Sequence, residues 1–311
     1  MGTPEFSVPS LKRLILDGHD VAAVITQPDK PAGRGKHLHT PPVKSLALEH
    51  HISVHQPSRI KNNEDVRTIF ETVSPDACVV VAYGKILPQW LLQMPRLGCI
   101  NVHASLLPKY RGAAPINWAI ANGEQETGVT IMQMDEGMDT GPMLAKRSIA
   151  IGRHEIAPEL SLRLSGLGAE LLSETLPLVA AGNLRPMPQD DRDATYAPLL
   201  KREHGLIDWN MSAIQIDNRV RAFQPWPGMF TNFRGGRLMV WRAREIQITN
   251  SLAEVSAEPG TIQTIDAAGI TVQTGSGVLL IEDIQMEGKR RMLAREFGNG
   301  ARLKPGDHMT Q

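Results

Sequence analysis

The feature that most constrains the fold of this chain is the alternation of apolar runs with amphipathic stretches over its first 180 or so residues. SLKRLILDG reads as a helix stopped by Gly18, VAAVIT as a buried strand and VKSLALEHH as a second helix. ISVHQP, a helix around Glu64 to Val73, the strands DACVVVAY and GCINVHA, a helix near Pro115 to Ala121 and the run VTIMQM follow in order. Strands separated by helices predict an α/β domain, doubly wound around a mostly parallel sheet.

A long helix over Pro158 to Ala181, with leucines at 160, 162, 164, 167, 171 and 172, closes that domain. Prolines at 186, 188 and 198 mark a linker. Beyond it come the shorter segments RLMVWRA, GTIQTI, GITVQTG and GVLLIEDIQM, separated by glycines, which argue a small β-barrel. The expected division is a first domain over 1–182, a linker over 183–205 and a second domain over 206–311.

Composition excludes more than it selects. Of 311 residues, 41% are hydrophobic and 21% charged, as in ordinary globular proteins, and no apolar stretch is long enough to span a bilayer. The two cysteines, Cys78 and Cys99, fall inside strand-like runs and read as buried free thiols, which suits a reducing compartment. Formal net charge is zero, so any nucleic-acid contact must be local. The candidate clusters are Arg219 with Arg221, Arg234 with Arg237, Arg242 with Arg244, and Lys289 to Arg291; solvated surface reads equally well for each. His37, His39, His50 and His51 lack the spacing of a metal site, so no metal is expected.

Asn101 and His103 end an apolar run two residues apart, so on a strand both side chains reach the same face. Asp139 sits in the glycine-bracketed loop MDEGMDTG, after VTIMQM. An amide donor, an imidazole and a carboxylate at neighbouring strand ends suit acyl transfer to an amine. Taken singly, Asn101 and His103 also read as turn formers or satisfied polar groups, and Asp139 as a turn cap.

INVHASLLPKYRGAAPINWAI followed by ETGVTIMQMDEGMDTG resembles the formyltransferase family that uses 10-formyltetrahydrofolate. GTPEFSVPSL, TQPDKPAGRGK, VVVAYGKILP, TYAPLLKREHGLIDW and RAFQPWPG extend the resemblance along almost the whole chain. SLLP and Asp139 alone would fit members that formylate a small ribonucleotide, whereas the PAGRGK loop and the last hundred residues point to the branch acting on charged tRNA.

The resemblance implies transfer of a formyl group from 10-formyltetrahydrofolate to the α-amine of methionyl initiator tRNA, in a cytoplasmic monomer without membrane association. It implies Asn101, His103 and Asp139 as catalytic residues, with Ser105, Leu106, Leu107 and Pro108 against the folate and Ala82, Tyr83 and Gly84 lining the same cleft. It implies Arg34 on the tRNA acceptor end, Lys36 supporting on phosphate, and an OB-like barrel as the C-terminal tRNA-binding domain. Read alone, the 27–42 loop is an exposed basic loop that fits neither a dinucleotide fingerprint nor a P-loop.

One departure from the family pattern concerns the first strand, for Met1 is followed at once by the turn-like GTPEF. Either Met1 is internal to a longer reading frame, the favoured expectation, or the sheet lacks a strand. Two other functions fit part of the pattern: a formyltransferase for a small amine, and an RNA-binding protein whose transferase domain is degenerate.

Overall fold

The structure, a computed structural model, describes residues 1–32, 37–246 and 257–310. They form two compact units, the first comprising Met1–Pro115, Glu126–Ala150 and Leu160–Pro198, the second Ile116–Gln125, Ile151–Glu159 and Leu199–Gln311.

The first unit is built on the four strands Cys78–Val80, Cys99–His103, Glu126–Gln133 and Met143–Ala150, hydrogen-bonded in that order. Only the first pair is parallel; the other two are antiparallel, so the sheet is mixed rather than mostly parallel. For the pair Glu126–Gln133 and Met143–Ala150 the physical reason lies in the MDEGMDTG loop, which returns the chain as a hairpin instead of through a crossover helix. Cys99–His103 is buried along its whole length. Its alternation sends Asn101 and His103 to one face and Ile100 and Val102 to the other. Against Val102 packs the helix Ala157–Ala180, where a Cβ on Gly168 would stand 2.8 Å from Val102 Cγ1. That close approach explains a glycine inside a helix.

Val24–Ile25 pairs in parallel with Val54–His55 as a separate two-stranded sheet. Residues Met1 and Gly2 reach both this sheet and Cys78–Val80: Gly2 bridges Val81 in parallel, Gly2 N donates to Ile25 O (3.1 Å), and Met1 N donates to Val79 O (2.6 Å). Beside them is a cavity of about 380 Å³ walled by Leu11, Val24, Ile69, Phe70 and Val79, with the unpartnered Ser10 hydroxyl on its margin.

In the second unit, strands Met229–Phe233, Gly236–Ile246, Val278–Met286, Ile270–Gln273 and Ile262–Ile265 pair in that spatial order, all antiparallel. Met292–Leu293 adds to Val278–Met286. No strand pair joins Met229–Phe233 directly to Ile262–Ile265 among the described residues, but Asn232 bridges Thr310 and Thr261 bridges His308, so the 308–310 segment lies along both edges. Cys78 and Cys99 are buried free thiols facing each other in register, as expected. No helix among the described residues is long and apolar enough to cross a membrane.

Candidate active site

The strand Cys99–His103 carries Asn101 and His103 to its carboxyl end, and the hairpin turn after Glu126–Gln133 brings Asp139 beside His103. His103 Nδ1 lies 3.6 Å from Asp139 Oδ2. His103 Nε2 lies 3.0 Å from the Tyr110 carbonyl oxygen, which can only accept, so Nε2 carries a proton and donates. The imidazole is thus fixed with Nδ1 toward the carboxylate. Asp139 Oδ2 also accepts from Gly112 N at 2.9 Å, which aims the carboxylate. The Asn101 side chain is 9% exposed.

Asp139 adopts φ +54°, a left-handed conformation that costs a non-glycine residue about 1 kcal/mol or more. Glycine is required around it: a Cβ on Gly141 would stand 1.9 Å from the Gln133 carbonyl oxygen. The turn bearing Asp139 is therefore shaped by backbone sterics.

The segment Ser105 to Pro108 leaves this strand and is pinned by Thr130. Thr130 Oγ1 donates to Ser105 O (2.7 Å) and accepts from Leu107 N (3.1 Å). Leu107 is fully buried against Met132 and Met143, so Leu106 and Pro108, both half-buried, are the side chains left to meet a ligand. Ser105 is also fully buried, its hydroxyl donating to Lys109 O.

Ala82, Tyr83 and Gly84 follow the neighbouring strand, whose Val80 is in register with Asn101. The Tyr83 side chain lies in the core with Phe70, Leu87 and Leu91, where burial pushes its hydroxyl up to about 12. Tyr83 as a cleft-lining side chain is thus corrected; exposed backbone at Ala82 and Gly84 remains, with the Tyr83 carbonyl held by Gln27 Nε2 at 3.0 Å.

Arg34 and Lys36 lie outside the described residues. At the base of their loop, Lys44 Nζ and Gln56 Nε2 each bond Asp29 at 2.7 Å, and Lys44 above all holds that carboxyl below its ordinary range. The loop's sole acid is thereby neutralised from outside it.

Most flagged basic clusters of the second unit are internally paired. Arg242 and Arg244 meet Glu282, Arg291 meets Asp283, and Arg234 meets Asp307. Arg221 is bonded to Asp217, Asn218 and the Glu155 carbonyl, a structural role. Lys289 and Arg290 remain exposed. Among the described residues no group of three His, Cys, Asp or Glu side chains could hold a metal ion.

Three contributors were not foreseen: Gly112 N, Thr130 and Gln189. Gln189 Nε2 donates to the carbonyls of Asp139 (2.8 Å) and Gly141 (2.7 Å). It lies in the stretch read as a linker. There Met187 exchanges backbone bonds with Met143, Thr195 bonds Tyr110 and Arg111, and Tyr196–Ala197 pairs with Arg111–Gly112. Residues 187–198 are thus part of the first unit, which ends at Pro198.

A mixed α/β unit that gathers an amide, an imidazole and a carboxylate at strand ends is a frame for group transfer. The family profile described as formyl transferase matches residues 1–176, and that described as formyl transferase, C-terminal domain, matches residues 199–302. The chain belongs to the formyl transferase family. It is 51% identical over 311 residues to the methionyl-tRNA formyltransferase of Geobacter sulfurreducens, covering 100% of this chain and 96% of that protein. To the methionyl-tRNA formyltransferase of Geobacter metallireducens it is 53% identical, with 98% and 96% covered. Among solved structures, an N-formyltransferase from Helicobacter canadensis in complex with folinic acid and dTDP-3-aminofucose shares the fold at TM-score 0.65 and 16% identity, covering 92% of this chain and 97% of that one. HypX from Aquifex aeolicus in complex with tetrahydrofolic acid does so at TM-score 0.57 and 18% identity, over 86% and 47%.

Proposed function

We propose that this protein transfers the formyl group of 10-formyltetrahydrofolate to the α-amine of methionyl initiator tRNA, giving N-formylmethionyl-tRNA in the cytoplasm. The observation that supports the reading is the pairing of His103 with Asp139, Nδ1 3.6 Å from Oδ2, on a strand that also carries Asn101, in a chain 51% identical to a methionyl-tRNA formyltransferase.

The folate supplies an activated one-carbon acyl group. The residues fit it: Asn101 offers an amide donor, while Leu106 and Pro108 offer apolar surface. Attack of the amine nitrogen on the formyl carbon places negative charge on the formyl oxygen, and the Asn101 amide stabilises it. Asp139 accepts the proton lost by the amine, directly or through water, and the same proton balances the departing nitrogen. His103, donating at Nε2 to Tyr110 O, keeps Nδ1 turned toward Asp139. No covalent enzyme intermediate forms.

Arg34 contacts the acceptor end of the tRNA and Lys36 a phosphate, with the OB-like second unit adding tRNA contacts. Exposed Lys289 and Arg290 are its candidates.

The test is formylation of methionyl initiator tRNA with 10-formyltetrahydrofolate. Asn101→Ala and Asp139→Asn should each lower kcat by about a hundredfold or more with the folate KM little changed. Arg34→Ala should instead raise the KM for charged tRNA. Wild-type turnover in the first two variants, or tRNA binding without any turnover in the parent chain, would refute the assignment.

A further inference from the structure

We propose that Gln189 is a positioning residue for the catalytic turn, acting on the reaction through Asp139. The inference rests on the reading of Asp139 as proton acceptor and goes beyond it, since nothing in a 183–205 linker would be expected to bear on catalysis.

The argument begins with the turn itself. Asp139 is held at φ +54° between Gly137 and Gly141, a left-handed conformation that costs a non-glycine residue about 1 kcal/mol. Left alone, such a turn relaxes, and the carboxylate moves with it. Two of its carbonyls, those of Asp139 and Gly141, converge on a single donor group, Gln189 Nε2, at 2.8 and 2.7 Å. Both amide protons of Gln189 are therefore used to hold the turn in place.

The orientation of that amide is determined by chemistry. Gln189 Oε1 accepts from Arg111 Nε at 3.0 Å, and a guanidinium can only donate. A flipped amide would set donor against donor at Arg111 and oxygen against oxygen at both turn carbonyls. Arg111 is itself 2% exposed, with its second arm on Asp191, so the anchor does not wander.

The next residue completes the circuit. Gly112 N donates to Asp139 Oδ2, so the Arg111–Gly112 pair fixes the carboxylate by its backbone and, through Gln189, the backbone of the same aspartate. The site needs this because His103 Nδ1 is 3.6 Å from Asp139 Oδ2, beyond a normal hydrogen bond. A turn free to drift opens that gap further, and a displacement of about 1 Å costs up to a hundredfold in rate. Gln189 is half-buried at the surface of the unit, so its replacement leaves the core intact.

The test is a double-substitution cycle in the full chain. Gln189→Glu keeps an acceptor for Arg111 but turns oxygen toward the two carbonyls; kcat should fall about tenfold while the folate KM stays within about twofold. Placed in an Asp139→Asn background, the same change should cost less than about twofold, because the group it positions is already disabled. Gln189→Ala serves as the second variant and should behave alike. A Gln189 effect that multiplies undiminished in the Asp139→Asn background, or no effect in the parent chain, overturns the proposal. Wild-type turnover by Asp139→Asn alone overturns the reading beneath it.

Discussion

Replacing Thr130 with valine isolates the side chain that ties Ser105 O and Leu107 N, in the proposed folate segment, to the sheet. Thr130 is fully buried in the strand Glu126–Gln133, in register with His103, and its hydroxyl both donates to Ser105 O at 2.7 Å and accepts from Leu107 N at 3.1 Å. Valine has nearly the same shape and a β-propensity at least as high, so strand formation and packing are preserved. What is lost is the partner of one buried carbonyl and one buried amide. Each unsatisfied group costs about 1–3 kcal/mol, which sums to about 3 kcal/mol for the pair after some local relaxation. Thr130→Ser keeps both bonds and loses one methyl, worth about 1 kcal/mol.

Urea-dependent hydrogen exchange, read on peptides covering residues 99–110, measures the loss within the first unit. The folate KM should rise in the valine variant and stay put in the serine variant, because only the former frees the 105–108 backbone. If valine proves no more costly than serine, the two hydrogen bonds do not hold the segment and the account of the folate wall is wrong.

A further outcome follows from the same geometry. Gly141→Ala would place a Cβ 1.9 Å from the Gln133 carbonyl oxygen, a backbone atom that cannot step aside, so thermal unfolding should show a loss of about 2 kcal/mol together with most of the turnover.

Much of the fold was legible because the relevant signals are local. The helices Val8–Leu16, Pro42–Glu49 and Glu64–Val73 fall where their apolar period puts them, and Cys99–His103 where an apolar run ends in polar residues. The two-residue spacing of Asn101 and His103 was enough to place both on one face. Features set by distant pairing were not legible. The antiparallel turn of the central sheet depends on which neighbour Glu126–Gln133 meets, and its residues read equally well either way. Tyr83 looked like a cleft residue beside exposed Ala82 and Gly84, but alternation turns it into the core. Thr130 passed for a strand former because a β-branched residue in an apolar strand announces nothing about its hydroxyl.

The stretch 183–205 shows why composition misleads about such a segment. Prolines and charges mark it as a spacer, yet from Met187 to Ala197 its backbone bonds Met143, Pro108, Arg111 and Ala113, and the Thr195 hydroxyl accepts from Tyr110 N. Pairings of one or two residues at a time leave no periodicity, so a strap and a linker look alike in sequence. The two family matches end at 176 and begin at 199, leaving unmatched the residues that contain Gln189 and Thr195. Thr195 holds Tyr110, whose carbonyl orients His103, and Gln189 holds the turn bearing Asp139. Two members of the candidate trio therefore take their positions from a segment that neither domain signature contains, and a first unit cut at 176 would keep the chemical groups while losing their alignment.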